Sequence, residues 1–169
     1  MSSFIVRDAA SADHPAILAL NLESEDLMSP MDAARLLELE RASAYHRVVC
    51  DGDEVVAFLL AMREGAAYDS PNYLWFGERY PAFLYVDRIA VAGSHRGRGL
   101  GGLLYDDLFG FAREGGFERV ACEFYIVPFN QASSRFHARY GFAEVGTQWV
   151  AQGRRQVSLQ IAPVAAANG

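Results

Sequence analysis

The sequence predicts one mixed α/β (α+β) domain of seven strands and four helices, on three observations. The chain is 169 residues long, 51% hydrophobic and 21% charged, the length and composition of an ordinary globular domain with a sizeable core. Its hydrophobic period switches between strand and helix in the order β-α-α-β-β-β-α-β-α-β-β. At its centre a strand runs through a glycine-rich turn into a helix. Neither an internal repeat nor a linker divides the chain, so residues 1–162 are expected to form one domain and residues 163–169 a flexible tail.

Phe4 to Arg7 alternates as a first strand. Asp13 before His14-Pro15 reads as a helix start with Pro at an early position, continued at helical spacing by Ile17, Leu20 and Leu22. A second helix is expected from Ser29-Pro30-Met31-Asp32, with Ala33, Leu36, Leu37 and the stem of Glu40 on one side. Tyr45–Cys50 and Val55–Met62 flank Asp51-Gly52-Asp53, a strong hairpin signal. Glu64 to Pro81 reads as a long connection rich in aromatics: Tyr68, Tyr73, Trp75, Phe76 and Tyr80. Phe83–Ala92 is a nearly continuous apolar strand, and the helix after the glycine turn stops at Gly115-Gly116. Glu118–Val127 is the next strand, a helix from Asn130 ends at Gly141, and Phe142–Val150 with Gln156–Ile161 forms a closing hairpin.

Fifteen Lys+Arg against 21 Asp+Glu give a net charge of -6, which argues against a nucleic-acid binder and mildly favours cationic ligands. No long apolar run suggests a leader or a membrane segment. Cys50 and Cys122 fall inside expected strands and read as buried thiols of a reducing compartment, so the cytoplasm is expected. His14, His46 and His95 have no metal-ligand spacing, and no metal is expected.

The central turn is Arg96-Gly97-Arg98-Gly99-Leu100-Gly101-Gly102. Glycines entering a helix let backbone N–H groups approach an anion at the positive end of the macrodipole, and Arg96 and Arg98 add charge. No Gly-Lys-Ser/Thr follows, which excludes a Walker-type loop, and the spacing fits a dinucleotide fingerprint poorly.

Arg96-x-x-Gly99-x-Gly101 after Ile89-Ala90-Val91 resembles the acetyl-CoA-binding signature of the GNAT (GCN5-related) N-acetyltransferase superfamily. Asn130-Gln131-Ala132-Ser133, followed by aromatics and Gly141-Phe142, resembles that family's second motif, and the likeness in element order covers nearly the whole chain. The resemblance implies the acyl-CoA N-acyltransferase fold, a mixed and mostly antiparallel sheet whose two central strands splay around the cofactor. It implies acetyl-CoA as co-substrate, its pantetheine arm along Ile89, Ala90 and Val91 and its pyrophosphate on the amides of Arg96, Gly97, Arg98, Gly99, Leu100 and Gly101. Asn130, Ser133, Phe136 and His137 match further positions near the cofactor, Asn130 reading equally as a plain helix cap. The Ile89 N–H is the implied oxyanion donor.

The acid–base pair stays open at this stage. Glu123 and Tyr125 share one strand face, as do Tyr85 and Asp87, with Glu123 the leading base and Asp87–Arg88 readable as a surface ion pair. His137 stands where many relatives place the tyrosine that protonates the departing thiolate; Tyr140 is the second candidate acid. The expected acceptor is a small-molecule amine or a peptide amino group, walled by residues 64–81, whose aromatics read either as a cation–π site or as packing. Neither nucleic acid nor membrane is an expected partner, a homodimer is possible, and an acyl-CoA-binding sensor of the same fold is the alternative.

Overall fold

The computed structural model describes residues 3–165. Its elements are β1 (Phe4–Asp8), α1 (His14–Glu23), α2 (Ala33–Ala42), β2 (Tyr45–Asp51), β3 (Glu54–Arg63), α3 (Pro71–Gly77), β4 (Leu84–Val91), α4 (Leu100–Glu114), β5 (Arg119–Val127), α5 (Gln131–Ala138), β6 (Ala143–Val150) and β7 (Arg155–Pro163). The seven strands form one sheet in the order β1-β2-β3-β4-β5-β7-β6. The pairings β1–β2, β2–β3, β5–β7 and β6–β7 are antiparallel, and β4–β5 is parallel. None of the described helices is long and apolar enough to cross a membrane.

Two interleaved compact units make up the chain: Met1–Met62 with Val86–Phe111, and Arg63–Tyr85 with Ala112–Gly169. In the first, β3 is buried from Val56 to Met62, as its unbroken apolar run requires of a central strand. Leu36 and Leu39 of α2 are buried, each gaining about 2 kcal/mol on leaving water, whereas Leu37 points out at 42% exposure. The apolar stripe of α2 therefore runs through Leu36 and Leu39, one turn of spacing rather than the adjacent pair expected. Asp32 caps this helix by accepting from the Arg35 N–H at 2.8 Å, so Pro30 precedes the helix instead of opening it. Glu40 ties α2 to α1 and β2, lying 3.1 Å from His14 Nε2 and 3.2 Å from His46 Nδ1.

In the second unit the connection expected to be irregular contains α3. Tyr73 and Phe76 of this helix are buried and meet Phe83 and Tyr85 edge-on or tilted at 5.5–6.1 Å. Trp75 lies on β6 where Gly146 leaves room; a Cβ there would stand 2.4 Å from the indole. The cations over these rings are the protein's own, Arg79 on Trp75 at 4.0 Å and Arg119 on Tyr80 at 5.2 Å, so the aromatics pack this segment. α4 closes in a Schellman motif, Phe117 N–H to Ala112 C=O and Gly116 N–H to Arg113 C=O, with Gly116 at φ 75°. Pro163 belongs to β7, and the Val164 N–H bonds the Glu118 carbonyl at 2.9 Å, so the strand extends past the expected boundary; residues 166–169 of the expected tail lie outside the described residues.

Candidate functional site

The first unit holds the glycine turn. β4 delivers the chain through a short helical turn, Gly93–His95, to Arg96, and α4 begins at Leu100. Gly97 and Gly99 sit at φ 77° and 80°, where an L side chain is strained, and a Cβ on either would meet nothing within 4 Å. The Gly99 carbonyl accepts the first helical bond, from the Leu103 N–H at 3.0 Å. Leu100 and Gly101 thus open a 15-residue helix whose first N–H groups lie outside its ladder. Arg96 and Arg98 are exposed, with Arg98 stacked over Phe4 at 4.9 Å. Open space above two left-handed glycines, a helix N-terminus and Arg96 fit the pyrophosphate of an acyl-CoA.

Two buried groups on the chain leading into this turn have partners that the sequence reading missed. His95, 8% exposed, has Nε2 at 2.9 Å from the Asp51 carboxylate, and its Nδ1 lies 2.7 Å from Ser94 Oγ. A carboxylate only accepts, so Nε2–H donates to Asp51, and Nδ1 is hydrogen-bonded to the Ser94 hydroxyl. Arg88 is buried, so the Asp87–Arg88 pair is not the surface ion pair that was one of its two readings. Its Nε donates to Asp87 at 2.7 Å, and its Nη1 to Asn21 Oδ1 at 2.9 Å and to the Ser29 carbonyl at 3.2 Å. The Asp87–Arg88 pair thereby joins β4 to α1 and to the segment before α2. No spacing in the sequence marks contacts made across such separations.

Strand alternation orients the β4 amides. The Ala92 N–H bonds the Val56 carbonyl of β3 at 2.8 Å, so the N–H groups of Val91 and Ile89 point away from β3, and that of Ala90 toward it.

In the second unit, β5 presents its two faces to different partners. Glu123 and Tyr125 lie on one face, opposite Leu159 and Val157 of β7. The Tyr85 hydroxyl donates to Glu123 Oε1 at 2.9 Å, joining candidates that the sequence had placed in separate pairs. Phe124 lies on the other face, where His137 stacks on it at 5.3 Å. His137 is 6% exposed and also packs against Phe136 and Phe142. Its Nδ1 lies 2.7 Å from the Ser133 carbonyl, which only accepts, so Nδ1 carries the proton and Nε2 of the neutral ring is an acceptor. Burial lowers its pKa, with the Ser133 bond opposing. A neutral ring in this tautomer carries no proton on Nε2. Tyr140 is half-buried, its ring against Phe136 at 5.4 Å. Asn130 caps α5, its Oδ1 accepting from the Ser133 N–H at 3.1 Å.

The acetyltransferase (GNAT) family profile matches residues 8–142. The chain belongs to the GNAT acetyltransferase family. No curated protein matches its sequence. Among solved structures, the ribosomal-protein-S18-alanine N-acetyltransferase from Escherichia coli is similar at 15% identity over 98% of this chain and 97% of that one, with a TM-score of 0.75. Ard1 from Thermoplasma volcanium gives 0.76 at 19% identity over 96% and 98%. The NatC complex bound to Gag peptide and CoA gives 0.76 at 12% identity over 96% and 99%. At such identities the likeness is one of fold. The GNAT profile covers the glycine turn, β5 and α5, the segments that carry the motifs described above.

Proposed function

We propose that this GNAT protein transfers the acetyl group of acetyl-CoA to a primary amine, carried by a small molecule or by a peptide amino group, in the cytoplasm. The observation that carries the reading is β4 feeding a turn of two left-handed glycines at the N-terminus of α4. The amides from Arg96 to Gly101 would hold the pyrophosphate, and the backbone of Ile89 to Val91 the pantetheine arm. When bound, acetyl-CoA supplies the thioester whose carbonyl carbon the amine attacks, a C–N bond forming as the C–S bond breaks. The Ile89 N–H, directed away from β3, donates to the carbonyl oxygen as negative charge develops there. Glu123, held by Tyr85, takes the ammonium proton. Tyr140 is the proton donor to the departing sulfur, in place of His137.

An acyl-CoA sensor is the second reading, favoured by the buried neutral His137 at the acid position. One experiment separates the two: calorimetric titration with acetyl-CoA, then a thiol-release screen over an amine library. Binding with CoA release supports the transferase, and binding without release from any amine supports the sensor. No binding refutes both.

A further inference from the structure

Resting on the reading of the glycine turn as the acetyl-CoA site, we propose that Phe4 and Asp51 are positioning residues for cofactor binding. Through Arg98 and His95 they hold that turn in its anion-accepting shape before the cofactor arrives. The argument starts from the turn itself. Residues 96–99 are exposed, and at Gly97 and Gly99 a Cβ would meet nothing within 4 Å, so this stretch is not packed into the core. Glycine loses more conformational freedom on ordering than any other residue. Unless other contacts hold such a stretch, the entropy of ordering it is subtracted from the affinity for whatever it binds.

The turn rests on one cross-strand pair. Phe4 of β1 and Asp51 of β2 are opposed in the antiparallel register. His95 Nε2 donates to Asp51 Oδ2 at 2.9 Å, and the imidazole meets the Phe4 ring edge-on at 6.2 Å. Further along, the Arg98 guanidinium lies over the same Phe4 ring at 4.9 Å. The ends are tied as well: the Ala92 N–H bonds the Val56 carbonyl of β3 at 2.8 Å, and Leu100 is 2% exposed at the start of α4. The chain is thereby held at residues 92, 95, 98 and 100, and each left-handed glycine lies between two held residues. The charge of Asp51 sharpens the argument. A carboxylate bonded to the residue before Arg96 works against an anion held on the turn. Positioning and charge therefore predict opposite signs when Asp51 is replaced.

The test titrates the full chain with acetyl-CoA by calorimetry, in the wild type, Asp51→Ala, Asp51→Asn, Phe4→Leu and Arg47→Gln. Urea unfolding of each variant establishes that it is folded under the binding conditions. Asp51→Ala removes the acceptor of His95, whereas Asp51→Asn keeps an acceptor oxygen and drops the charge. Phe4→Leu removes the ring shared by His95 and Arg98. Arg47→Gln is the control, because it breaks ion pairs to Asp8 and Asp107 while Asp8 and Arg47 pair at the other end of the β1–β2 ladder. The expected Kd is about tenfold higher in Asp51→Ala and in Phe4→Leu, and within about twofold of the wild type in Asp51→Asn. Arg47→Gln should leave it unchanged despite lower stability. A Kd unchanged in Asp51→Ala or Phe4→Leu, a loss that Asp51→Asn does not restore, or an equal rise in Arg47→Gln overturns the inference while the cofactor reading stands. A wild type that binds no acetyl-CoA overturns both.

Discussion

The Tyr85 hydroxyl and Glu123 Oε1 stand 2.9 Å apart, so a tyrosine of β4 orients a carboxylate of β5 next to their parallel pairing at Tyr85↔Ala121. Tyr85 itself is fully buried among Tyr73 and Phe76, which fixes its ring before any ligand arrives. If Glu123 removes the ammonium proton, Glu123→Gln lowers kcat/KM by about 10²-fold and abolishes the acidic limb of its pH profile. Tyr85→Phe keeps the carboxylate but loses its donor, with a smaller rate loss and about 1.5–3 kcal/mol of stability. Steady-state kinetics across pH and urea unfolding read the two effects separately. Equal pH profiles for wild type and Glu123→Gln would remove Glu123 from the proton transfer.

Gly99 separates cofactor affinity from folding. Its φ of 80° strains any L side chain, by about 1–2 kcal/mol, yet the space around a Cβ is open. Gly99→Ala should fold with a modest loss of stability and bind acetyl-CoA more weakly. Gly99→Asp adds a carboxylate at an anion site and should raise the Kd about 100-fold or more. Calorimetric titration measures both; an unchanged Kd for Gly99→Asp would place the pyrophosphate elsewhere.

The buried Asp87–Arg88 pair makes the opposite kind of prediction, about stability. With side chains 4% and 5% exposed, neither charge is well solvated. Arg88→Met takes the buried cation away from Asp87 and releases Asn21 and the Ser29 carbonyl, at about 3–5 kcal/mol. Replacing both charges, Asp87→Leu with Arg88→Met, should cost less than Arg88→Met alone, because no buried charge remains. Urea denaturation of the two variants checks the order; a double variant less stable than the single one would contradict it.

Local signals made most of the element order legible in the sequence. The Asp-Gly hairpin, the glycine turn and Gly116 are fixed by neighbours in the chain, and each lies where the pattern placed it. α3 escaped because seven residues with three aromatics make a poor helix by propensity; it forms because Tyr73 and Phe76, three apart, find Phe83 and Tyr85. Ser70-Pro71 before that spacing was the available signal. In the site, residue types were readable and partnerships were not. Tyr85 meets Glu123 38 positions away across neighbouring strands, and Arg88 meets Asn21 of α1 67 positions away, contacts that only the tertiary fold creates. His137 shows the limit most plainly: its position made it a candidate proton donor, and no neighbour in sequence announced that its ring is buried against Phe124, Phe136 and Phe142.

That ring supplies a prediction with a definite sign. Burial holds the His137 pKa below the ordinary 6.5, so below that pH the unfolded chain takes up a proton that the native state refuses. The native state therefore keeps this contribution in full above about pH 6.5 and loses it as pH falls. His137→Phe removes the Nδ1–H bond to the Ser133 carbonyl and should cost about 0.5–1.5 kcal/mol at about pH 8. The variant has no ring to protonate, so its deficit relative to the wild type should shrink from about pH 6.5 to pH 5. His46, also lowered by burial, is present in both proteins and cancels in the comparison. Urea unfolding across this range measures the gap, and a constant gap would mean that His137 titrates alike in folded and unfolded chains. At the same time Tyr140→Phe should slow acetyl transfer more than His137→Phe does; the reverse order would return the acid role to His137.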